Sequence, residues 1–151
     1  MALKELIQND MKTALLGGDR LRGNILRDLK AAILDEEVAS GKREGGLDDD
    51  AIEKIVAREV KKRNESIKLY EQNDRPELAA AEKAEIAVIS QYLPQQVSEA
   101  EIKAVVEDII TGIDGASMQH MGQVIGGVKA KLGNSADGSL VAAIVKQRLQ
   151  V

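Results

Sequence analysis

Apolar residues along this chain recur every three or four positions, the spacing that gathers them on one side of an α-helix. Leu3, Leu6, Ile7, Met11, Ala14 and Leu15 form the first stripe, and Gly17-Gly18 ends it. Asp19 can cap a second helix whose stripe is Leu21, Ile25, Leu29, Ala32, Ile33 and Glu36, running on toward Val38. A glycine-bearing polar loop follows from Ser40 to Leu47; it has little to bury and is expected to be mobile. Asp48-Asp49-Asp50 places negative charge where the dipole of a third helix favours it. That helix carries Ile52, Ile55, Val56, Val60, Ile67 and Tyr70 and is about seven turns long if unbroken to Asn73. Arg75-Pro76 opens a fourth, with stripe Leu78, Ile86, Ile89 and Leu93.

The stretch from Glu85 to Ile102 is the joint of the chain. Pro94 disfavours helix at the residue before it and has no N–H of its own, so the fourth helix must stop by Leu93. A new helix starts four residues later, with Ser98 and Glu101 at capping-box spacing. Ile102, Val105, Val106, Ile109 and Ile110 mark this fifth helix, ended by Gly112 and Gly115; Met118, Met121, Val124, Ile125, Val128 and Leu132 mark a sixth, stopped by Gly133. Asp137 can cap a seventh, with Leu140, Val141, Ile144, Val145 and Leu149. Alternating β-type runs are missing. The expected fold is all-α: an N-terminal four-helix domain (1–95) containing a long helical hairpin, then a small three-helix C-terminal domain (96–151).

Composition narrows the chemistry. The 151 residues include no Cys, so disulfides and thiolate chemistry are out of reach, and only two aromatic residues, Tyr70 and Tyr92. No secretory signal pattern opens the chain and no apolar run approaches the length of a membrane span, so the expected compartment is the cytoplasm, with no membrane partner. Residues 1–114 carry 17 Lys and Arg against 24 Asp and Glu, net −7; residues 115–151 carry four against one, net +3. The end of the chain thus has the opposite sign to its body.

Polar residues within the stripes are the candidate sites. Arg63 falls at the centre of the third stripe, and Glu82 and Glu85 fall within the fourth. An isolated buried charge is costly, so the economical reading is an internal ion pair between Arg63 and Glu82 or Glu85 that fixes the helical hairpin, with Glu36 and Glu37 able to join it. The functional alternative, a carboxylate metal site, would in its di-iron form need a Glu-x-x-His on each of two helices, and the chain has one histidine, His120. No metal or other cofactor is expected. His120 reads as a surface or capping residue, no strained nucleophile turn accompanies it, and neither glycine pattern of a phosphate loop occurs; no catalytic residue is assigned.

Two basic clusters remain. Lys54, Arg58, Lys61 and Lys62 lie opposite the apolar stripe of the third helix, partly neutralised by Glu65, the usual pattern of a solvated face. Lys129 and Lys131 end the sixth helix, and Lys146 and Arg148 the seventh, where cations also complement the dipole. Gly122 and Gly126, four apart, share with Lys129 the side of the sixth helix away from its stripe. Such a surface admits another backbone closely and sets an ammonium beside it, which suits an RNA phosphate or a tight helix crossing. With two tyrosines in the chain, RNA would be recognised by shape and phosphate rather than by base stacking.

Several motifs in order and spacing resemble one family. These are Asp10-Met11-Lys12-x-Ala14, Leu26-Arg27-x-Leu29-x-Ala31-Ala32-Ile33, Lys62-Arg63-x-Glu65-Ser66-Ile67-x-x-Tyr70, Glu82-x-x-Glu85-Ile86, Tyr92-Leu93-Pro94, Met121-Gly122-x-Val124-Ile125-Gly126 and Ala136-Asp137-Gly138. Over nearly its full length the chain resembles stand-alone GatB/YqeY-domain proteins of the YqeY type. The resemblance implies a helical domain followed by a smaller three-helix domain, similar to the tail of the GatB subunit of tRNA-dependent amidotransferase and to modules appended to some glutaminyl-tRNA synthetases. In those proteins the tail helps hold tRNA while the chemistry occurs elsewhere. The family label, carbon–nitrogen ligase activity with glutamine as amido-N-donor, would then describe the association rather than this chain. By that resemblance the RNA-facing positions are Gly122, Gly126, Lys129, Lys131, Lys146 and Arg148. The expected partners are tRNA and aminoacyl-tRNA synthetase or amidotransferase components, and not DNA. The competing expectations are a protein-interaction adaptor of translation without RNA affinity and an amidotransferase-linked enzyme.

Overall fold

The computed structural model describes residues 2–150, and among them every regular element is helical. The order is α1 (Leu3–Leu16), α2 (Arg20–Ala39), α3 (Asp49–Gln72), α4 (Pro76–Ile89), α5 (Glu99–Thr111), α6 (Met121–Leu132) and α7 (Gly138–Leu149). Single 3₁₀ turns at Ser90–Tyr92, Met118–His120 and Gly133–Ser135 extend α4, precede α6 and follow it. The fourth helix therefore gives up its α-helical hydrogen bonds at Ile89, earlier than Pro94 requires, and the last turn tightens before the proline. The sixth begins as a 3₁₀ turn for a local reason: the Ser117 N–H donates to Nδ1 of His120 (3.1 Å), so the lone histidine is a cap.

Packing divides the chain into two compact units, Met1–Leu93 and Pro94–Val151. In the first, α1 to α4 surround an aliphatic core of Ile7, Ile25, Leu26, Leu29, Ile33, Ile52, Ile55, Val56 and Ile89, closed by Tyr92. Gly18, at φ +80°, makes the reversal between α1 and α2 that a side chain would strain. Asp19 then caps α2 by accepting the Arg22 N–H (3.1 Å). Where these two helices cross, Gly23 lies under Leu15: a methyl added there would sit 2.5 Å from Leu15 Cδ2. The acidic triplet does two jobs. Asp48 caps its own helix through the Ala51 N–H (2.9 Å), whereas Asp49 accepts the Leu3 N–H (2.9 Å) and caps α1 instead. Asp74, the one described non-glycine residue with positive φ (55°), turns α3 back into α4.

The second unit packs α5, α6 and α7 around Ile102, Val106, Ile110, Val124, Val128, Val141, Ile144, Val145 and Leu149. Ser98 caps α5 through the Glu101 N–H (3.1 Å) and Asp137 caps α7 through the Ser139 N–H (3.0 Å). The segment after Pro94 is held by the Val97 N–H to the Ser135 carbonyl (2.8 Å).

Some expected core positions lie elsewhere. Leu21, Val38 and Leu78 are 55%, 58% and 40% exposed, while Ala79 and Glu37 are buried in their elements. In α4 it is Ala79 that is buried, and Leu78 is left on the flank.

Candidate functional site

Three polar clusters organise the first unit, and one exposed helix side distinguishes the second. The interior guanidinium of Arg63, 14% exposed, donates from Nε to Glu85 (3.3 Å) and from Nη1 to Glu59 (2.8 Å) and to the Glu59 carbonyl (3.1 Å). Glu59, one turn before Arg63 on the same helix, was not anticipated; its i, i+4 spacing was the available signal. Glu82 does not bond Arg63. Burial, then the Glu85 charge, pushes its carboxyl above the usual carboxylate range. Burial opposes the Arg63 charge, but the bond to Glu59 and the charges of Glu85 and Glu59 more than offset it and raise its pKa.

The direction for Glu82 carries a prediction. A carboxyl with a raised folded-state pKa favours folding below its unfolded value, and that benefit is lost as pH rises through the folded value. Glu82→Gln should therefore raise the stability of the protein at pH 7, with the gain vanishing in acid below pH 4.5, as chemical denaturation at the two pH values would measure.

Glu36 and Glu37 do not join this cluster. Glu37, 1% exposed, accepts both contacts of the Lys4 ammonium (2.7 and 3.0 Å) and the Leu47 N–H (3.1 Å). Glu36 instead lies 3.7 Å from Arg58. The stripe of α2 steps from Leu29 to Ile33 to position 37 by fours, which turns Glu37 inward and Glu36 to the flank. The loop expected to be mobile is consequently tied to Glu37, and Lys42 N–H bonds the Glu37 carbonyl besides (2.8 Å). The bond from Lys4, working against burial, holds the Glu37 carboxyl below the usual range.

The third cluster joins Asp10 to the chain's one buried aromatic residue. Tyr92 donates to Asp10 (2.5 Å), and Arg22 lies 3.8 Å from Asp10 and donates to Gln91 (3.2 Å). Burial, then the bond to Asp10, pushes the Tyr92 hydroxyl well above its ordinary value, so it stays a donor. This pairing ties α1 to the turn that follows α4. Asp10 and the Tyr-Leu-Pro run stand in separate sequence motifs, and no spacing along the chain expresses their contact.

In the second unit Gly122 and Gly126 are exposed, and a methyl built on either would meet no atom within 4 Å. They share one side of α6 with exposed Lys129. The tight helix crossing is made by another glycine, Gly127, whose added methyl would lie 2.9 Å from Ile109 Cδ1. The other three sequence-chosen positions do not extend the side of α6 that carries the two glycines. Lys131, two residues beyond Lys129, is about 200° further round the helix. Arg148 is held by Glu107 of α5, and Lys146 is exposed on α7 about 200° round from buried Ile144. Nor is the positive charge of the chain's end a property of its unit. Residues 94–151 carry five Lys and Arg against six Asp and Glu, because α5 and the turn after it bring Glu99, Glu101, Glu107, Asp108 and Asp114 into the same body.

Among the described residues no three His, Asp or Glu side chains are grouped to hold a metal ion, and no helix is long and apolar enough to cross a membrane. Of the carboxylates Glu59, Glu82 and Glu85, two are bound by the Arg63 guanidinium.

The protein called "Altered inheritance of mitochondria protein 41, mitochondrial" from Lachancea thermotolerans is 34% identical over 108 residues, 70% of this chain and 56% of that protein. Its namesake from Candida glabrata is 32% identical over 96 residues, 63% of this chain and 52% of that protein. The one from Saccharomyces cerevisiae S288c is 27% identical over 95 residues, 62% and 50% respectively. The chain thus spans about half the length of these curated relatives. The family model for Yqey-like protein matches residues 4–149, nearly the whole sequence, and the chain belongs to the YqeY-like protein family.

Proposed function

We propose that this chain is a non-catalytic helical module of translation that lays the Gly122, Gly126 and Lys129 side of α6 against the phosphate backbone of tRNA. We propose also that its two compact units are a four-helix and a three-helix domain. The observation that carries the reading is energetic. A glycine inside a helix costs about 1 kcal/mol relative to alanine, and at Gly122 and Gly126 no neighbouring atom requires the missing methyl. The fold of the unit gives no return for two such residues four apart. A partner's backbone approaching that side would, and the adjacent Lys129 ammonium suits a phosphate. The resemblance to the amidotransferase tail supplies tRNA as the partner and synthetase or amidotransferase components as company. Lys131, Lys146 and Arg148 contribute less than the sequence alone suggested, Arg148 because Glu107 already engages it. The proposed compartment is the cytoplasm; the fungal relatives are mitochondrial by name, and translation takes place in both.

The double variant Gly122→Ala/Gly126→Ala separates function from fold. It should stabilise the free protein by about 1 kcal/mol, mostly at Gly126 because Gly122 lies in the first turn of α6, and at the same time weaken tRNA binding at low salt. Wild-type binding should lose affinity with salt, with a log–log slope of about −0.7 to −0.9 per phosphate contacted. Unchanged tRNA affinity in the stabilised variant would refute the reading. Glutamine or ATP turnover with misacylated tRNA by the pure protein is not expected.

The adaptor reading has one observation in its favour: Leu34 and Val38, four residues apart on α2, are 45% and 58% exposed. Pull-down with and without nuclease distinguishes them, since a protein partner retained after nuclease treatment favours the adaptor.

A further inference from the structure

A row of exposed cations lies in the first unit, on α3. Lys54, Arg58, Lys61, Lys62 and Lys68 are all exposed, and helical spacing places them within about 120° of one another, directly opposite the buried side of Ile52, Val56 and Ile67. At 1.5 Å per residue the row runs about 21 Å along the helix. Only one acid, Glu65, falls inside it. Lys54 reaches back to Asp50 (3.0 Å) and Arg58 lies 3.7 Å from Glu36, while Lys61, Lys62 and Lys68 have no ion-pair partner among the described residues. The surrounding unit is acidic, with 16 Lys and Arg against 19 Asp and Glu in residues 1–93, so the row is a local reversal of the unit's sign.

We infer that this row of α3 is a second RNA-contact surface, taking the phosphates of a double-helical segment. It rests on the proposed RNA reading for the kind of partner, and on the following chemistry for its form. A protein partner would need apolar or aromatic anchors at the centre of the patch, and this row has none, Leu69 standing only at its far end. A single strand would be held by stacking on aromatic side chains, which are equally missing. Phosphates need cations alone, and a long straight row of them suits the regular backbone of an RNA duplex, which proteins recognise by shape and phosphate.

The test measures binding of a fully paired RNA duplex of about 20 base pairs to the whole chain, by fluorescence anisotropy across a salt series. The Lys61→Glu/Lys62→Glu/Lys68→Glu variant should bind at least about ten-fold more weakly, with a salt slope shallower by about two. Its circular dichroism should be unchanged, because all three side chains are in solvent. Lys12→Glu/Lys42→Glu/Lys103→Glu, with the same change in net charge at exposed positions off the row, should keep wild-type affinity. Equal loss in both variants, unaltered binding in the first, or no binding by the wild type at low salt would each overturn the inference. Polyglutamate displacing the duplex at equal charge concentration would overturn it in favour of an acidic protein segment. The glycine double variant, assayed on tRNA, reports on the α6 surface separately, so either surface can fail while the other stands.

Discussion

Replacing Arg63 with alanine is expected to destabilise the first unit by about 3 kcal/mol, the largest effect of any single charged residue in the chain. The guanidinium is 14% exposed and binds Glu59 and Glu85, which are themselves 20% and 31% exposed. Its removal leaves three carboxylates, with Glu82 the third, crowded between α3 and α4 and no cation among them. Partial access to water keeps the expected loss at the lower end for a broken interior ion pair. The pH dependence identifies the cause. Acid protonates the stranded carboxyls, so the gap between wild type and Arg63→Ala should narrow from pH 7 toward pH 4.5, whereas lost packing alone would leave it constant. Arg63→Lys should fall between the two, because an ammonium cannot offer Glu59 and Glu85 a planar fork at once. Urea unfolding followed by tyrosine emission is a suitable measurement. Tyr70 and Tyr92 both lie in the first unit and the chain has no Trp, so the signal reports that unit alone. An Arg63→Ala midpoint within error of wild type would remove the pair's structural role.

Glu37→Ala is expected to cost about 2–3 kcal/mol through a different route. The side chain is 1% exposed and is the sole acceptor for the Leu47 N–H, while Lys4, its cation, is 41% exposed and can return to water. Most of the loss is thus the stranded amide and the vacated space rather than the ion pair. Glu37→Gln, which keeps an acceptor for Leu47, should lose only about 1 kcal/mol. Because Lys4 holds the Glu37 carboxyl below its ordinary value of 4.5, its stabilisation is fully present above that pH. It is lost as pH falls through the lower, folded-state value, so the penalty of Glu37→Ala should shrink in acid. Hydrogen exchange localises the effect: the amides of Lys42, Gly46 and Leu47, which close the loop, should exchange faster in the alanine variant. Protection unchanged at those amides would show that the loop does not depend on Glu37.

Both expectations concern charges on apolar stripes, and the two differ in how far the sequence exposed them. Arg63 stood at the centre of a long, regular stripe, so its inward position followed from periodicity. Which acid it meets depended on the stagger of α3 against α4, and the structure brings Glu85 and the same-helix Glu59 to it while Glu82 is not among its ion-pair partners. Periodicity puts Glu36 on the stripe of α2 and leaves both Glu36 and Glu37 able to meet Arg63, but one residue of phase at the end of a twenty-residue helix decides which of two adjacent glutamates turns inward.

The side of α6 shows the same division. That Gly122, Gly126 and Lys129 share a side follows from 3.6 residues per turn, and so does the separation of Lys129 from Lys131. That Gly127 rather than either of them meets Ile109, and that Glu107 neutralises Arg148, required the packed arrangement of three helices.

The sequence by itself determined the seven helices of the described residues, the caps at Asp19, Ser98 and Asp137, and the break before Pro94, because these depend on hydrogen bonds and apolar spacing within a few residues. Only the tertiary structure decided that Asp49 caps α1, that Tyr92 bonds Asp10, and that acids of α5 balance the cations at the chain's end. These pairings join residues 41 to 82 positions apart, and no periodicity along one helix records which side of another it will meet.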